Sequence, residues 1–423
     1  MSQMGSPAVS QHDTPLWTVL FRPSNREQLN QRNVLIDGIG VGITAGVGSF
    51  LSVFLVRLGA SSFMVGLLTA MPALTGMILA IPVGEFLSRR PNIIPWFARS
   101  RFLVLLCYVL TGLVPFVTQT HEPELIILIW ALATLPQTLV SVAFTVVMGG
   151  VAGPRGRFTL MSRRWSILGL TNSLTVVAVG QMLNWFDFPF NYQIIFLGSA
   201  IGAFISIVFS SSLKLPPQEI RQQQQGLLKT LREHGGSLKQ NKPFLNFTIA
   251  QFVFRLGLTM ALPLLPLYWV RAVGATDSQI GVINSTQTFV LMIAYFVWTK
   301  ISARRGERFV LLIAAFGVSF YPLLTALTHT PNLLILWAGI AGFFVAGVDL
   351  VFFDIVLATA PAENQAAFVG IYQTTVYVAT FAAPMIGTAF SDAFGLIAAL
   401  ILATVLRFLG AGLLARMGVG RGV

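Results

Sequence analysis

Residues 59–66 read GASSFMVG, and residues 274–281 read GATDSQIG. Two glycine pairs, Gly59/Gly274 and Gly66/Gly281, stand 215 positions apart. The same offset carries Arg89-Arg90 onto Arg304-Arg305, and an offset of 207 carries Trp130 onto Trp337 and Pro154 onto Pro361. Single glycines and prolines recur by chance, but ordered matches at nearly constant spacing argue for a duplicated unit.

Composition restricts the answer. The chain has 423 residues, 55% of them hydrophobic and 10% charged, with 34 Phe and 38 Gly, and its mean hydropathy is +0.76. A soluble domain of this size needs more surface charge, so the class is a polytopic membrane protein. The single cysteine, Cys107, excludes an internal disulfide framework or a cysteine metal cluster. Apolar segments of about 20 residues or more, enough for a ~30 Å hydrocarbon core, fall at 33–56, 62–84, 93–117, 124–148, 160–184 and 190–213. A second set falls at 244–270, 278–299, 309–328, 332–359, 366–390 and 394–416. The expected fold is all-α and membrane-embedded, with twelve transmembrane helices in two pseudo-symmetric six-helix bundles, 33–213 and 244–418. A polar tail (1–32) and a polar linker (214–243) complete the chain.

Lys and Arg number 27, and the net charge is +12. With both termini inside, all but four basic residues fall on cytoplasmic loops, tails or span ends, as the positive-inside rule requires. Arg57 and Arg271 fall outside, and Arg255 and Arg407 lie within spans. Arg407, late in the last span, is expected to snorkel to the headgroups. The positive charge is therefore a topology signal, and no nucleic-acid partner is expected. The first 32 residues show no apolar core beside a small-residue cleavage site, so the N-terminus is expected to stay cytoplasmic in a cell (plasma) membrane protein. Two parallel six-span repeats place a substrate site between them, near the midplane.

The 2–3 loop reads Gly84-Glu85-Phe86-Leu87-Ser88-Arg89-Arg90-Pro91-Asn92, the 8–9 loop Ala303-Arg304-Arg305-Gly306-Glu307-Arg308, and the 4–5 loop contains Pro154-Arg155-Gly156-Arg157. With twelve spans and the repeat, these loops make the chain resemble the major facilitator superfamily over roughly residues 30–418. The family pattern G-x-L-a-D-R-x-G-R-[RK] is degraded: Gly84 and Arg89 remain, Ser88 stands where the acid is expected, and Pro91 replaces the second glycine. The resemblance implies a cytoplasmic gate from Gly84, Arg89, Arg90, Arg304 and Arg305. It also implies a cavity lined by the first, fourth, seventh and tenth spans.

Several chemistries are absent. There is no P-loop and no H-E-x-x-H, and His12, His121, His234 and His329 fall in tails, loops or span ends. Neither an enzyme, a metal site nor a cofactor is expected. The fifth span lacks the G-x-x-x-G-P-x-x-G-G element of drug/proton antiporters in the family.

Intramembrane charges are costly and mark candidate function. Asp349 is twelve residues before Pro361, and Arg255 is twelve after Pro243, placing both ~18 Å from the cytoplasmic side. The resemblance allows them to face each other, either as a permanent salt bridge or as a pair exchanging with proton or substrate. Asp354, only ~10 Å deep, reads as a gate residue for Arg304 or Arg305. Asp37 is either a proton-coupling carboxylate or a partner for Arg32 or other arginines on the cytoplasmic side. The N-half counterparts of Asp349 and Asp354 are Val142 and Val147, so the halves differ in charge. Further cavity-lining candidates are Gln137, Ser141, Gln251, Asn284, Gln287, Tyr372, Gln373 and Tyr377.

The expected activity is monomeric, alternating-access secondary transport of a small organic, possibly amphiphilic solute, with protons the expected coupling partner. Alternatives are a drug or metabolite efflux antiporter, or a transport-incompetent receptor or scaffold of the same fold.

Overall fold

The computed structural model describes residues 16–215, 241–360 and 365–420; the side chains of residues 16, 152–159, 353, 357 and 365–367 fall outside that description. Among the described residues every regular element is a helix. The N-terminal half contains α1 (Leu16–Phe21), α2 (Arg26–Gly48), α3 (Leu51–Arg57), α4 (Ser62–Ser88), α5 (Ile94–Val117), α6 (Glu122–Met182), α7 (Phe190–Gly198) and α8 (Ala200–Ser211). The C-terminal half contains α9 (Lys242–Arg271), α10 (Asp277–Arg305), α11 (Glu307–Ala326), α12 (Pro331–Thr359), α13 (Gln365–Phe394) and α14 (Leu396–Arg416).

Among the described residues ten segments are long and apolar enough to cross a bilayer, with α2–α3 and α7–α8 each forming one. The other two crossings are the second arm of α6 and α13, both rich in hydroxyl and amide side chains. The arms of α6, 122–151 and 160–182, run in opposite directions. Trp130 on the first donates to Thr111 near the end of α5, whereas Arg164 on the second meets Asp37. The side chains of Pro154, Arg155 and Arg157 lie outside the described residues.

The duplication is visible in the packing. A Cβ on Gly40 would stand 2.5 Å from the Gly202 carbonyl oxygen, and one on Gly257 would stand 2.6 Å from that of Ala403. In each half, then, the first and sixth crossings meet backbone to backbone, as glycine permits between apolar helices. Trp130 donates to Thr111, and Trp337 donates to Thr328; each indole ties the fourth crossing of its half to the third.

The apolar core is Y-shaped. At the arginine-poor end one cluster joins the halves, with Phe50, Phe54, Tyr192 and Phe196 packed together with Leu264, Tyr268, Trp269 and Ile283. At the arginine-rich end it divides. Val34, Leu87, Phe97 and Val147 belong to an N-terminal core, and Phe247, Trp298, Val351 and Phe352 to a separate C-terminal one. Between these ends the halves touch along two seams. On one, Gly66 and Gly76 of α4 receive Thr388 and Tyr377 of α13. On the other, Gly180 of α6 lies on Gly281 of α10, where a Cβ on either would stand 3.2 Å from the partner's Cα.

Candidate functional site

The repeated octapeptide forms the closure at the arginine-poor end. Gly59 and Gly274 adopt φ of 81° and 66°, a left-handed turn in which glycine has no Cβ penalty. Ser61 and Thr276 cap α4 and α10 by accepting the backbone N–H groups of Met64 and Gln279. The alanine between turn and cap offers its carbonyl to the other half. Arg57 donates to the Ala275 carbonyl at 2.8 Å, and Arg271 donates to that of Ala60. Each arginine also reaches the residue two further on. Arg57 binds the Asp277 carboxylate at 3.0 Å, and Arg271 binds the Ser62 hydroxyl at 3.2 Å. The closure is thus reciprocal in geometry and unequal in charge, since Ser62 stands opposite Asp277. Tyr192 adds a third donor to Asp277 at 2.8 Å.

In the C-terminal half, Asp349 lies where α9, α10, α12 and α13 converge. It is solvent-accessible despite its depth in an apolar helix, consistent with a position on the cleft between the divided cores. The Tyr295 hydroxyl donates to its carboxylate at 3.5 Å. Arg255 is half-buried, bonds the Tyr372 hydroxyl and acts on Asp349 through its charge. Its guanidinium carbon also lies 6.0 Å from the Phe352 ring centroid. Only three ion pairs closer than 4.0 Å occur among the described residues, and Arg255–Asp349 is not one of them. The two charges share a corner, each held by a tyrosine.

Asp37 is buried, 3% exposed. Arg101 and Ser206 donate to one carboxylate oxygen, and Arg164 donates to the other at 3.1 Å. Arg32 does not take part. This network ties α2, α5, the second arm of α6 and α8 together. It corrects the topological count: Arg101 and Arg164, taken as span ends, are 6% and 2% exposed inside the bundle. Their signal was present in the sequence, because each lies within a predicted span on the side of Asp37.

Arg407 does not snorkel. It is 3% exposed and donates to the carbonyls of Gly257, Val318 and Leu258. Gly257 lets α14 come so close that the guanidinium is enclosed before it can reach the membrane surface. The residue at the corresponding helix contact of the N-terminal half is Ser206, the partner of Asp37.

The remaining candidates scatter. Gln251 is fully buried and donates to Thr375 at 2.9 Å, tying α9 to α13. Gln137, Ser141 and Gln373 are exposed, and Asn284 and Gln287 are half-buried on α10. Tyr372 stacks on Phe247, with ring centroids 5.8 Å apart, and Tyr377 packs against Gly76 across the seam. At the arginine-rich end Gly84 is half-buried, and Arg89, Arg90, Arg304, Arg305 and Asp354 are exposed. Arg90 lies 4.7 Å from the Phe86 ring centroid and Arg305 lies 5.0 Å from that of Phe309. Asp354 makes no ion pair among the described residues.

Residues 247–419 match the sequence model of the Major Facilitator Superfamily. The chain is similar to the Staphyloferrin B transporter of Staphylococcus aureus (strain NCTC 8325 / PS 47), 28% identical over 165 residues, or 38% of this chain and 39% of that protein. It is also similar to the multidrug resistance protein MdtG of Proteus mirabilis (strain HI4320), 28% identical over 174 residues, or 39% of this chain and 42% of that protein. These matches span about two fifths of each relative's length. A crystal structure of a point mutant of the nucleoside transporter NupG superposes with a TM-score of 0.74 at 12% identity, covering 93% of this chain and 100% of that one. The sequence match in the C-terminal half, the twelve crossings and the duplicated packing agree: residues 247–419 match the Major Facilitator Superfamily in sequence, and the whole chain shares the fold of the solved nucleoside transporter.

Proposed function

We propose that the protein is a secondary active transporter working by alternating access, in a conformation open at its arginine-rich end. The divided core carries this reading: the apolar interior is shared by both halves at one end only. The positive-inside rule assigns the arginine-rich end to the cytoplasm, so the conformation is inward-facing and both termini are cytoplasmic. Asp349 is the proton-coupling carboxylate, because it opens on the cleft with a single protein donor and a cation nearby. Protonation there changes the charge between the halves at the point where they must separate or close. Asp37, held by three side chains of its own half, is the structural centre of the N-terminal bundle.

The solute is a small organic molecule. Names of relatives support this, one naming staphyloferrin B and another multidrug resistance. The latter favours export as the direction. Purified protein in liposomes with an imposed pH gradient tests the proposal by uptake or efflux from a panel of labelled organic solutes. Gradient-dependent flux in the wild type, lost in Asp349→Asn with normal membrane insertion, is the expected result. Equal flux with and without the gradient, or an unaffected variant, refutes proton coupling through Asp349. The absence of any flux across the panel refutes the transport reading.

A further inference from the structure

The N-terminal half carries a charge imbalance that no ion pair among its described residues cancels. Two guanidinium groups, Arg101 and Arg164, share the single carboxylate of Asp37. A buried ion pair offsets its desolvation only when the charges balance and the hydrogen bonds are met, and a net charge within a bilayer is costly. The excess cation has an outlet on one side. Arg164 faces aromatic rings, lying 4.6 Å from the Phe144 centroid and 5.7 Å from that of Trp165. Arg101 likewise lies 4.6 Å from the Phe97 ring centroid, but it alone of the two borders the cavity of about 170 Å³ between α2, α5 and the first arm of α6.

The cavity lining is two-sided. Beside Arg101 it presents Tyr108 and Gln137, neither of which makes a side-chain hydrogen bond among the described residues, while Val104, Leu105 and Val140 supply apolar wall. No carboxylate borders it. A void of ~150 Å³ accepts benzene when lined by apolar groups; this one adds a guanidinium, a phenol and an amide. We propose that it is an anion subsite taking the carboxylate end of a compact, partly apolar organic acid. Arg101 donates to the carboxylate oxygens, Gln137 and Tyr108 donate alongside, and the hydrocarbon part of the acid lies on the valines and leucine. The bound anion neutralises the cluster.

This inference rests on the transporter reading and names the substrate class for it. Its test is therefore binding at equilibrium, which needs no transport. Full-length protein in detergent is titrated calorimetrically with benzoate, with benzamide as the neutral isostere and with inorganic phosphate. Benzoate is expected to bind saturably and at least about tenfold more tightly than benzamide, the worth of a charge-assisted hydrogen bond. Arg101→Gln is expected to weaken benzoate by about tenfold or more and to leave benzamide unchanged. Should that variant fail to fold, Tyr108→Phe and Gln137→Leu, which leave the ion pairs intact, are each expected to weaken benzoate by about threefold. Equal affinity for benzoate and benzamide, no benzoate binding, tighter binding of phosphate than of benzoate, or wild-type affinity in the variants overturns the proposal. Loss of benzoate binding in a protein that still moves other solutes refutes the subsite alone; intact binding without any flux refutes the transporter reading alone.

Discussion

Replacing Asp277 with asparagine removes the only charge difference between the two arms of the closure while keeping its shape. The carboxylate accepts from Arg57 Nε at 3.1 Å, from Arg57 Nη2 at 3.0 Å and from the Tyr192 hydroxyl at 2.8 Å. A hydrogen bond to a charged group contributes ~1.5–3 kcal/mol. The Arg57 side chain is 27% exposed and that of Asp277 is 11% exposed, so solvent screening lowers the joint value to roughly 2 kcal/mol. The arginine keeps the Ala275 carbonyl, and Arg271 keeps its two partners. The arm is weakened, not abolished. Two kcal/mol shifts a two-state equilibrium about 30-fold. A reporter cysteine at Ser285, which is buried in the seam and donates to the Ser173 carbonyl, reads that shift once Cys107 is changed to serine. In right-side-out vesicles, alkylation by an impermeant maleimide proceeds at a rate proportional to the fraction open at the outer end. Asp277→Asn is expected to raise the rate about 30-fold. Arg57→Gln combined with Asp277→Asn is expected to raise it further only by the loss of the Ala275 contact, so that the two effects together fall well short of their sum. A rate within about threefold of the parent, or two effects that simply add, refutes the assignment of the pair as a latch.

Asp37→Asn leaves two buried guanidinium groups without a counter-charge, at a cost of about 3–5 kcal/mol; thermal unfolding in detergent should fall clearly, and a midpoint within about 2 °C of wild type would count against the network. Arg407→Met frees three carbonyls from their donor and should lower the midpoint through unmet hydrogen bonds worth ~1–3 kcal/mol each; an unchanged midpoint in the same assay contradicts its role as a staple of α9, α11 and α14. Gly281→Val puts side-chain atoms where a Cβ already meets the Val176 carbonyl oxygen at 3.1 Å. The strain of ~1–3 kcal/mol should open the outer seam and speed the Ser285 reporter without changing the fold; a slower reporter would show that the contact does not bear on closure.

Much of the fold was readable because hydrophobic length and basic loops act locally. Predicted and observed crossings agree closely, and the octapeptide repeat marked a real structural repeat. Arg57 and Arg271 were singled out as the two basic residues outside, yet their role needed both halves in view. Each binds a residue more than 200 positions away. Asp37 was placed within its span, but Arg101 and Arg164 were counted with the loops because nearness to a span end resembles exposure in a linear reading. Arg407 failed for the opposite reason. Its distance from the C-terminus suggested escape to the surface, and only the close approach at Gly257 shows that it is enclosed. Arg304, Arg305 and Asp354 stand exposed at the arginine-rich end. At the end where the cores divide, no ion pair joins them among the described residues.

The contact of Gly180 with Gly281 has a mechanical consequence. A carrier that exposes its centre alternately to two sides must turn one block against the other, and interlocking side chains along the axis would make that turn a series of clicks. Here two bare backbone surfaces meet, flanked by the Gln181 donation to Ser278 and the Ser285 donation to Ser173. On the alternating-access proposal the contact would act as a pivot, with resistance to rocking set by the few hydrogen bonds beside it and by the closure at the ends. On that proposal, chemistry at those ends, an arginine released or a carboxylate neutralised, would bias the position of the whole.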